Sequence, residues 1–285
     1  MKPRTFISIL LGAAVSFGST SALAVGLGEG EPDPAEHELT EVGAVTPTGA
    51  DMPTVGGNLG NQHYSGLTQI NQQNLHKLGP VWRTHVSAVP PATDDTGQQT
   101  TPIVADGVIY LDTPNGEVIA VDGKTGEANW KWAPDDFGTT GTRRGVSIGD
   151  GKVYTLAAGN RVVALDKDTG EEVWVVQPEA PDGASLGRIG KVATVYHDGV
   201  VYGHAADGGR GAVFALNSSD GSLMWHFFGG PDRGTIFTDV NGNSVDAAAT
   251  WGPVLPDGTD CALEGGAAPW MHGSIDPELG MYYMT

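Results

Sequence analysis

The sequence predicts an all-β fold, a β-propeller of four-stranded blades, and three observations carry that expectation. The first is a repeat: "DGKTGEANWKW" from Asp122 returns as "DKDTGEEVWVV" from Asp166, 44 residues later, and more loosely as "NSSDGSLMWHF" from Asn217. The second is a landmark, Asp-Gly-x-[Ile/Val]-Tyr, beginning at Asp106, Asp150 and Asp198. The third is that short β-branched runs separated by turn signals lie between these marks. Four short strands per unit, repeating every ~40 to 50 residues, is the arithmetic of a propeller blade. A β-sandwich is the alternative, but sandwiches do not repeat their turn sequence and tryptophan at matching places.

In chain order, Lys2 and Arg4 precede an apolar run, Phe6 to Val15, and a small-residue stretch ends at Ala22-Leu23-Ala24. That is the pattern of a secretory signal, residues 1–24, cleaved after Ala24, and the run is too short to span a bilayer. The mature chain is therefore expected to be exported. Its formal charge goes from −19 to −21 once Lys2 and Arg4 are gone, which argues against nucleic acid as a partner. Cys261 is the single cysteine, so no intrachain disulfide forms despite the exported address. Residues 25–50 are rich in Gly, Pro and Glu and poor in large apolar side chains, the composition of a flexible leader.

Residues 51–285 are expected to form a partial propeller domain, about three and a half blades of an eight-bladed ring. The first unit, near 101–132, has strand-like runs at Ile103-Val104, Val108 to Leu111 and Val118 to Val121, and a fourth around Trp130. Asp-Gly and Asn-Gly pairs between the runs suit tight antiparallel turns, because glycine accepts positive φ. The unit returns near 144–176 and 190–228, and a further copy starts within 270–285. Trp130, Trp174 and Trp225 fall late in their units, where a large ring buries area between neighbouring blades. The aspartates of "VDGKTG" and "LDKDTG" are placed to accept hydrogen bonds from the turn amides that follow them.

More specific stretches flank the repeat. "MPTVGGNLGNQHYSGLTQINQQNLHKLGPVWRTHV" (Met52 to Val86) resembles the opening segment of the PQQ-dependent (quinoprotein) alcohol dehydrogenases, periplasmic eight-bladed propellers that use pyrroloquinoline quinone. The residues that carry the resemblance are Gly56-Gly57, Asn61, Tyr64-Ser65, Ile70-Asn71, Asn74-Leu75, Leu78 and Trp82. "TPIVADGVIY", "TRRGVSIGDGKVY" and "GGAAPWMHGSIDPELGMYYMT" follow in that family's order, so the likeness runs from Met52 to Thr285. It implies an electrophilic quinone on the propeller axis under a hard Lewis-acid cation, Ca2+ or a lanthanide, with oxygen ligands. It also implies that an aspartate takes the proton of an alcohol as hydride passes to the quinone. Electrons then leave to a cytochrome c or a membrane quinone.

The resemblance assigns residues one at a time. Trp270 matches the tryptophan that lies flat under the quinone, and its place outside the blade register sets it apart from the other three. Arg144 matches the arginine that reaches a quinone oxygen, whereas Arg143 beside it reads as a surface salt-bridge residue. Gln99, three residues before Pro102, aligns where the family places a Glu or Gln against the cofactor. The glutamate that ligates the ion aligns ambiguously in "GHAADGGRG", on Gly208 counted from one side and on Ala206 from the other. Asp207 is the acid in that gap and the candidate metal ligand, with a plain Asp-Gly turn as the competing reading. His204 reads as a turn or groove residue, since a hard cation prefers oxygen.

Some features depart from the family. "FGTTGTRRG" lacks the vicinal cysteines of methanol-oxidising members, and cofactor-binding threonines fall near Ala157 and Lys191. The asparagine ligand and the catalytic aspartate are expected beyond Thr285, which makes this chain the N-terminal portion of a longer enzyme. The expected substrate is a primary or secondary alcohol, and a sugar-oxidising relative is a further possibility. The rival is a cofactor-free propeller that scaffolds assembly, in the manner of envelope lipoproteins. That rival predicts a lipobox cysteine after the signal, but Cys261 lies far from it.

Overall fold

The computed structural model describes residues 47–86, 99–135, 143–157, 159–181, 186–187, 192–205, 211–230, 236–239, 241–246 and 269–284. Three antiparallel four-stranded sheets follow one another along the chain. The first holds β1 (Ile103–Ala105), β2 (Val108–Asp112), β3 (Val118–Asp122) and β4 (Ala128–Trp132). The second holds β5 (Ser147–Gly149), β6 (Lys152–Ala157), β7 (Arg161–Asp166) and β8 (Glu172–Val176). The third holds β9 (Val195–His197), β10 (Val200–Ala205), β11 (Ala212–Asn217) and β12 (Leu223–Phe228). Strand order equals chain order in all three, the meander of a propeller blade. A hairpin, β13 (Ile236–Thr238) with β14 (Ser244–Asp246), comes next, and a last pair, β15 (Ser274–Asp276) with β16 (Met281–Tyr283), ends the described chain.

The landmark turns form because both central residues take positive φ, as type I′ hairpins require. Asp106 and Gly107 sit at 54° and 76°, Asp150 and Gly151 at 49° and 67°, and Asp198 and Gly199 at 44° and 74°. At the other turns the expected side-chain bonds are present. Asp122 Oδ1 accepts from the amides of Lys124 and Thr125, both at 2.8 Å. Asp166 Oδ1 does the same for Asp168 and Thr169 at 3.0 and 2.8 Å, and Asn217 Oδ1 for Ser219 at 2.9 Å.

Blades adhere through two-sided burial. On β6, Val153 and Ala157 pack into one apolar layer with Tyr110, Val118 and Trp130 of the first blade, while Tyr154 and Leu156 pack into another with Phe214 and Leu216 of the third. Alternation along one strand therefore feeds two layers, as the period of two dictates. The repeated tryptophans lock this arrangement. Trp130 Nε1 donates to the Lys167 carbonyl and Trp174 Nε1 to the Ser218 carbonyl, each at 2.9 Å and each in the next blade. Each ring lies on the glycine of the next turn: a Cβ on Gly170 would stand 2.6 Å from Trp130, and one on Gly221 would stand 2.9 Å from Trp174. Trp82 behaves identically toward Gly126 and the Gly123 carbonyl, 3.0 Å away, so the series has an earlier member that the repeat alone does not reveal.

The opening segment threads the inner edges of these sheets. Met52 pairs with Val104 on the free edge of β1, and Val55 packs in the layer that also holds Val146 and Ala193. Leu59 accepts from the Ile275 amide at 2.8 Å and clusters with Val195 and Ile275. Residues 52–61 thus tie the first strands of successive units to one hub, and that hub positions the candidate site.

Candidate functional site

The site begins at the hub end of β5, where Arg143, Arg144 and Gly145 follow one another. Gly145 has φ of +128°, and a Cβ there would lie 2.9 Å from Val55 Cγ2 and 3.0 Å from the Thr101 carbonyl oxygen. Only glycine fits this thread. The arginines diverge from it. Arg143 is buried, and its Nη1 donates to the Leu156 carbonyl at 2.6 Å. The expectation of a surface salt bridge at Arg143 is therefore corrected, because the layer between the first two blades gives this guanidinium a carbonyl and the charge of buried Asp112. Arg144 is half-buried and points the other way, where its Nη1 donates to the Trp270 carbonyl and its guanidinium carbon stands 5.8 Å from the Trp270 ring centre.

Trp270 is 57% exposed, unlike the docked Trp130 at 8%. The backbone after it is held from three directions. Asn61 Nδ2 donates to the Gly273 carbonyl at 2.9 Å and to Ser274 Oγ at 3.1 Å. The Gly273 amide donates to Tyr282 Oη at 3.0 Å, and Tyr282 Oη lies 2.6 Å from His204 Nε2. The phenol and Nε2 of the imidazole share one proton, and the histidine tautomer sets which of them donates. His204 is buried within β10, which corrects its assignment to a turn or groove: Tyr282 gives the ring a partner inside. Burial, assisted by neighbouring His272, pushes its pKa down to about 4. His272 is itself held below the usual histidine range by burial, then by His63 and Arg144.

Of the residues proposed from sequence, the structure brings Arg144 and Trp270 together. Gln99 is exposed, and its segment runs alongside: the Thr101 amide donates to the Arg144 carbonyl at 3.4 Å. Asp207 lies outside the described residues. Among the described residues, no group of three or more His, Cys, Asp or Glu side chains is placed to hold a metal ion. An exposed indole with a guanidinium over it offers a flat apolar surface and a fork of hydrogen-bond donors, a combination that fits a flat ring carrying anionic oxygens. Sequence reasoning missed Asp112, His63, His272 and Tyr282, whose roles depend on cross-blade contacts that no local pattern encodes.

Comparison with known proteins gives this geometry a family. The profile described as "Glucose/ethanol/alcohol dehydrogenase, beta-propeller domain" matches residues 52–151. The quinohemoprotein alcohol dehydrogenase ADH-IIG of Pseudomonas putida is 30% identical over 97% of this chain and 37% of its own length. That of Comamonas testosteroni is 31% identical over 82% of this chain and 33% of its own. The chain belongs to the quinoprotein alcohol dehydrogenase family. Solved structures agree: this fold superposes on the Pseudomonas putida ADH-IIG with a TM-score of 0.64 at 29% identity, covering 80% of this chain and 33% of that one. For the Comamonas testosteroni enzyme the TM-score is 0.61 at 28% identity, again over 80% of this chain and 34% of that one. The chain thus spans about a third of the length of the curated relatives it matches. The all-β propeller expected from the repeat is the fold observed, and no described helix is long and apolar enough to cross a membrane.

Proposed function

We propose that this chain forms the cofactor-facing blades of an exported, PQQ-dependent alcohol dehydrogenase that oxidises a primary or secondary alcohol. The observation that carries the reading is the pairing of an exposed Trp270 with the Arg144 guanidinium at the hub, away from the docking tryptophans. When bound, the quinone under its Lewis-acid cation supplies the electrophile that takes hydride from the alcohol carbon. Trp270 would support the flat ring, and Arg144 would hold a quinone oxygen with a fixed positive charge. Gln99 would add a neutral hydrogen-bonding group at the rim. Asp207 would ligate the cation, Ca2+ or a lanthanide. Residues 1–24 would direct export to the periplasm and residues 25–50 would precede the folded part as a flexible leader. An aspartate would take the alcohol proton, and a cytochrome c or membrane quinone would receive the electrons.

The test is reconstitution of the full chain with pyrroloquinoline quinone and Ca2+, read by quenching of tryptophan fluorescence and by equilibrium dialysis. Wild-type protein is expected to retain the quinone, and Trp270→Ala together with Arg144→Ala to release it. Retention that is equal in wild type and both variants would remove Trp270 and Arg144 from the site. Absence of any quinone binding would reject the dehydrogenase reading.

A further inference from the structure

Behind Arg144 lies a buried charged cluster with no part in the reading above. Asp112, the last residue of β2, is 3% exposed and Arg143 is 7% exposed. Thr100 Oγ1 lies 2.5 Å from Asp112 Oδ1, 2.8 Å from the Asp112 carbonyl and 3.5 Å from the Arg143 carbonyl. The Gly145 amide also hydrogen-bonds the Asp112 carboxylate. Thr100 directly follows Gln99, Arg143 directly precedes Arg144, and Gly145 directly follows it. The chain neighbours of both candidate quinone-binding side chains therefore converge on one carboxylate.

A single aspartate at this place has physical consequences. A carboxylate is acceptor-only and carries several lone pairs, so it can take the Thr100 hydroxyl and the Gly145 amide together while facing Arg143. Bonds to an ionised acceptor are roughly twice as strong as neutral ones. Removing one partner of a buried charge pair leaves the other uncompensated. A Cβ at Gly145 would collide with Val55 and the Thr101 carbonyl oxygen, so only glycine lets the segment pass this close to both.

We propose that Asp112 is a positioning residue whose buried carboxylate, facing Arg143, fixes the two segments that carry Gln99 and Arg144 beside Trp270. The proposal rests on the quinone reading for the purpose of this placement, but the placement itself is measurable without quinone. In the unliganded full chain, Asp112→Asn is expected to speed amide hydrogen exchange in residues 99–103 and 143–146 together. The rise should be about tenfold or more, the weight of one hydrogen bond to a charged group, with β7 and β8 unchanged. Thr100→Val removes the hydroxyl and keeps both charges, and is expected to loosen the same two segments to a smaller extent. It also keeps the test decisive if Asp112→Asn does not fold.

With pyrroloquinoline quinone and Ca2+ as probes, wild-type Kd should rise as pH falls from about 7.5 to 5 while Asp112 takes up its proton. Asp112→Asn should be weaker at pH 7.5 and should lack that component of the profile. Arg143 acts on Asp112 through its charge, while His63, His272 and His204 lie on the Trp270 side, and all four remain in the variant, so the difference between profiles isolates Asp112. Unchanged exchange in both segments overturns the positioning role whether or not quinone binds. Faster exchange in wild-type-like folds that never bind quinone leaves the positioning role standing and rejects the dehydrogenase reading instead.

Discussion

Gly170→Ala tests whether tryptophan docking, and not turn conformation alone, joins the blades. Gly170 has φ of +76°, and an added Cβ would stand 2.6 Å from Cδ2 and Cε3 of Trp130. Gly151 has nearly the same backbone, φ of +67°, with nothing within 4 Å of the added atom. Left-handed backbone costs an alanine about 1 kcal/mol at either site. At Gly170 the methyl group also lifts the indole, breaking the 2.9 Å bond from Nε1 to the Lys167 carbonyl. That bond contributes roughly 1 kcal/mol, and opening the packed ring face adds roughly another 1 kcal/mol. Gly170→Ala is therefore expected to cost about 3 kcal/mol and Gly151→Ala about 1 kcal/mol. Urea unfolding followed by tryptophan fluorescence reads both as shifts in midpoint at constant slope. Equal losses at the two positions would refute docking as the source of cohesion between blades.

Three further outcomes follow from the same contacts. Trp174→Phe keeps an aromatic ring but loses the 2.9 Å bond to the Ser218 carbonyl, and should cost about 1 kcal/mol in the same unfolding assay. Tyr282→Phe deprives buried His204 Nε2 of its 2.6 Å partner and should cost about 1–3 kcal/mol while also loosening the Trp270 segment; a neutral effect would show that the hydrogen bond does not hold that segment. His204 and Asp112 should tilt the stability-pH profile in opposite directions. His204 titrates near 4 when folded and near 6.5 when unfolded, so the unfolded chain binds more protons between those values and stability is lost as pH falls through them. Asp112 is raised from 3.8 to about 6 by burial, so the folded chain binds more protons there and stability is lost as pH rises. Each amounts to about 3 kcal/mol. Relative to wild type, His204→Asn should steepen the fall of stability with rising pH between 4 and 6, and Asp112→Asn should reverse it, as measured by urea midpoints across that range.

The parts of this fold that the sequence makes legible are those set by residues close in the chain. Asp106-Gly107, Asp150-Gly151 and Asp198-Gly199 are complete instructions for a tight hairpin, and Asp122 and Asp166 cap their own turns within three residues. The hairpin β13–β14 escaped notice although Asn241-Gly242 marks its turn, because its strands are only three residues each and fall outside the blade register. Trp82 escaped for a related reason: it docks like Trp130 but lacks the Asp-Gly landmark that would have placed it in the series.

The site divides along the same line. Arg144 and Trp270 stand 126 residues apart, and only resemblance to whole family members pointed to both; nothing local predicts that one would donate to the other's carbonyl. Arg143 shows the limit most plainly, since two adjacent arginines have the same local signal and opposite fates. The chain ahead of β5 turns one into the layer between blades and the other to the hub, and the buried one survives there because Asp112, 31 residues earlier, ends β2 in the same layer. A charge of either sign in that layer without its partner would face the desolvation penalty alone. The pair is therefore a joint requirement on two distant positions. Replacing both together with apolar residues should restore stability lost in either single variant while leaving Gln99 and Arg144 loosely held, an outcome that would separate what the pair does for the fold from what it does for the site.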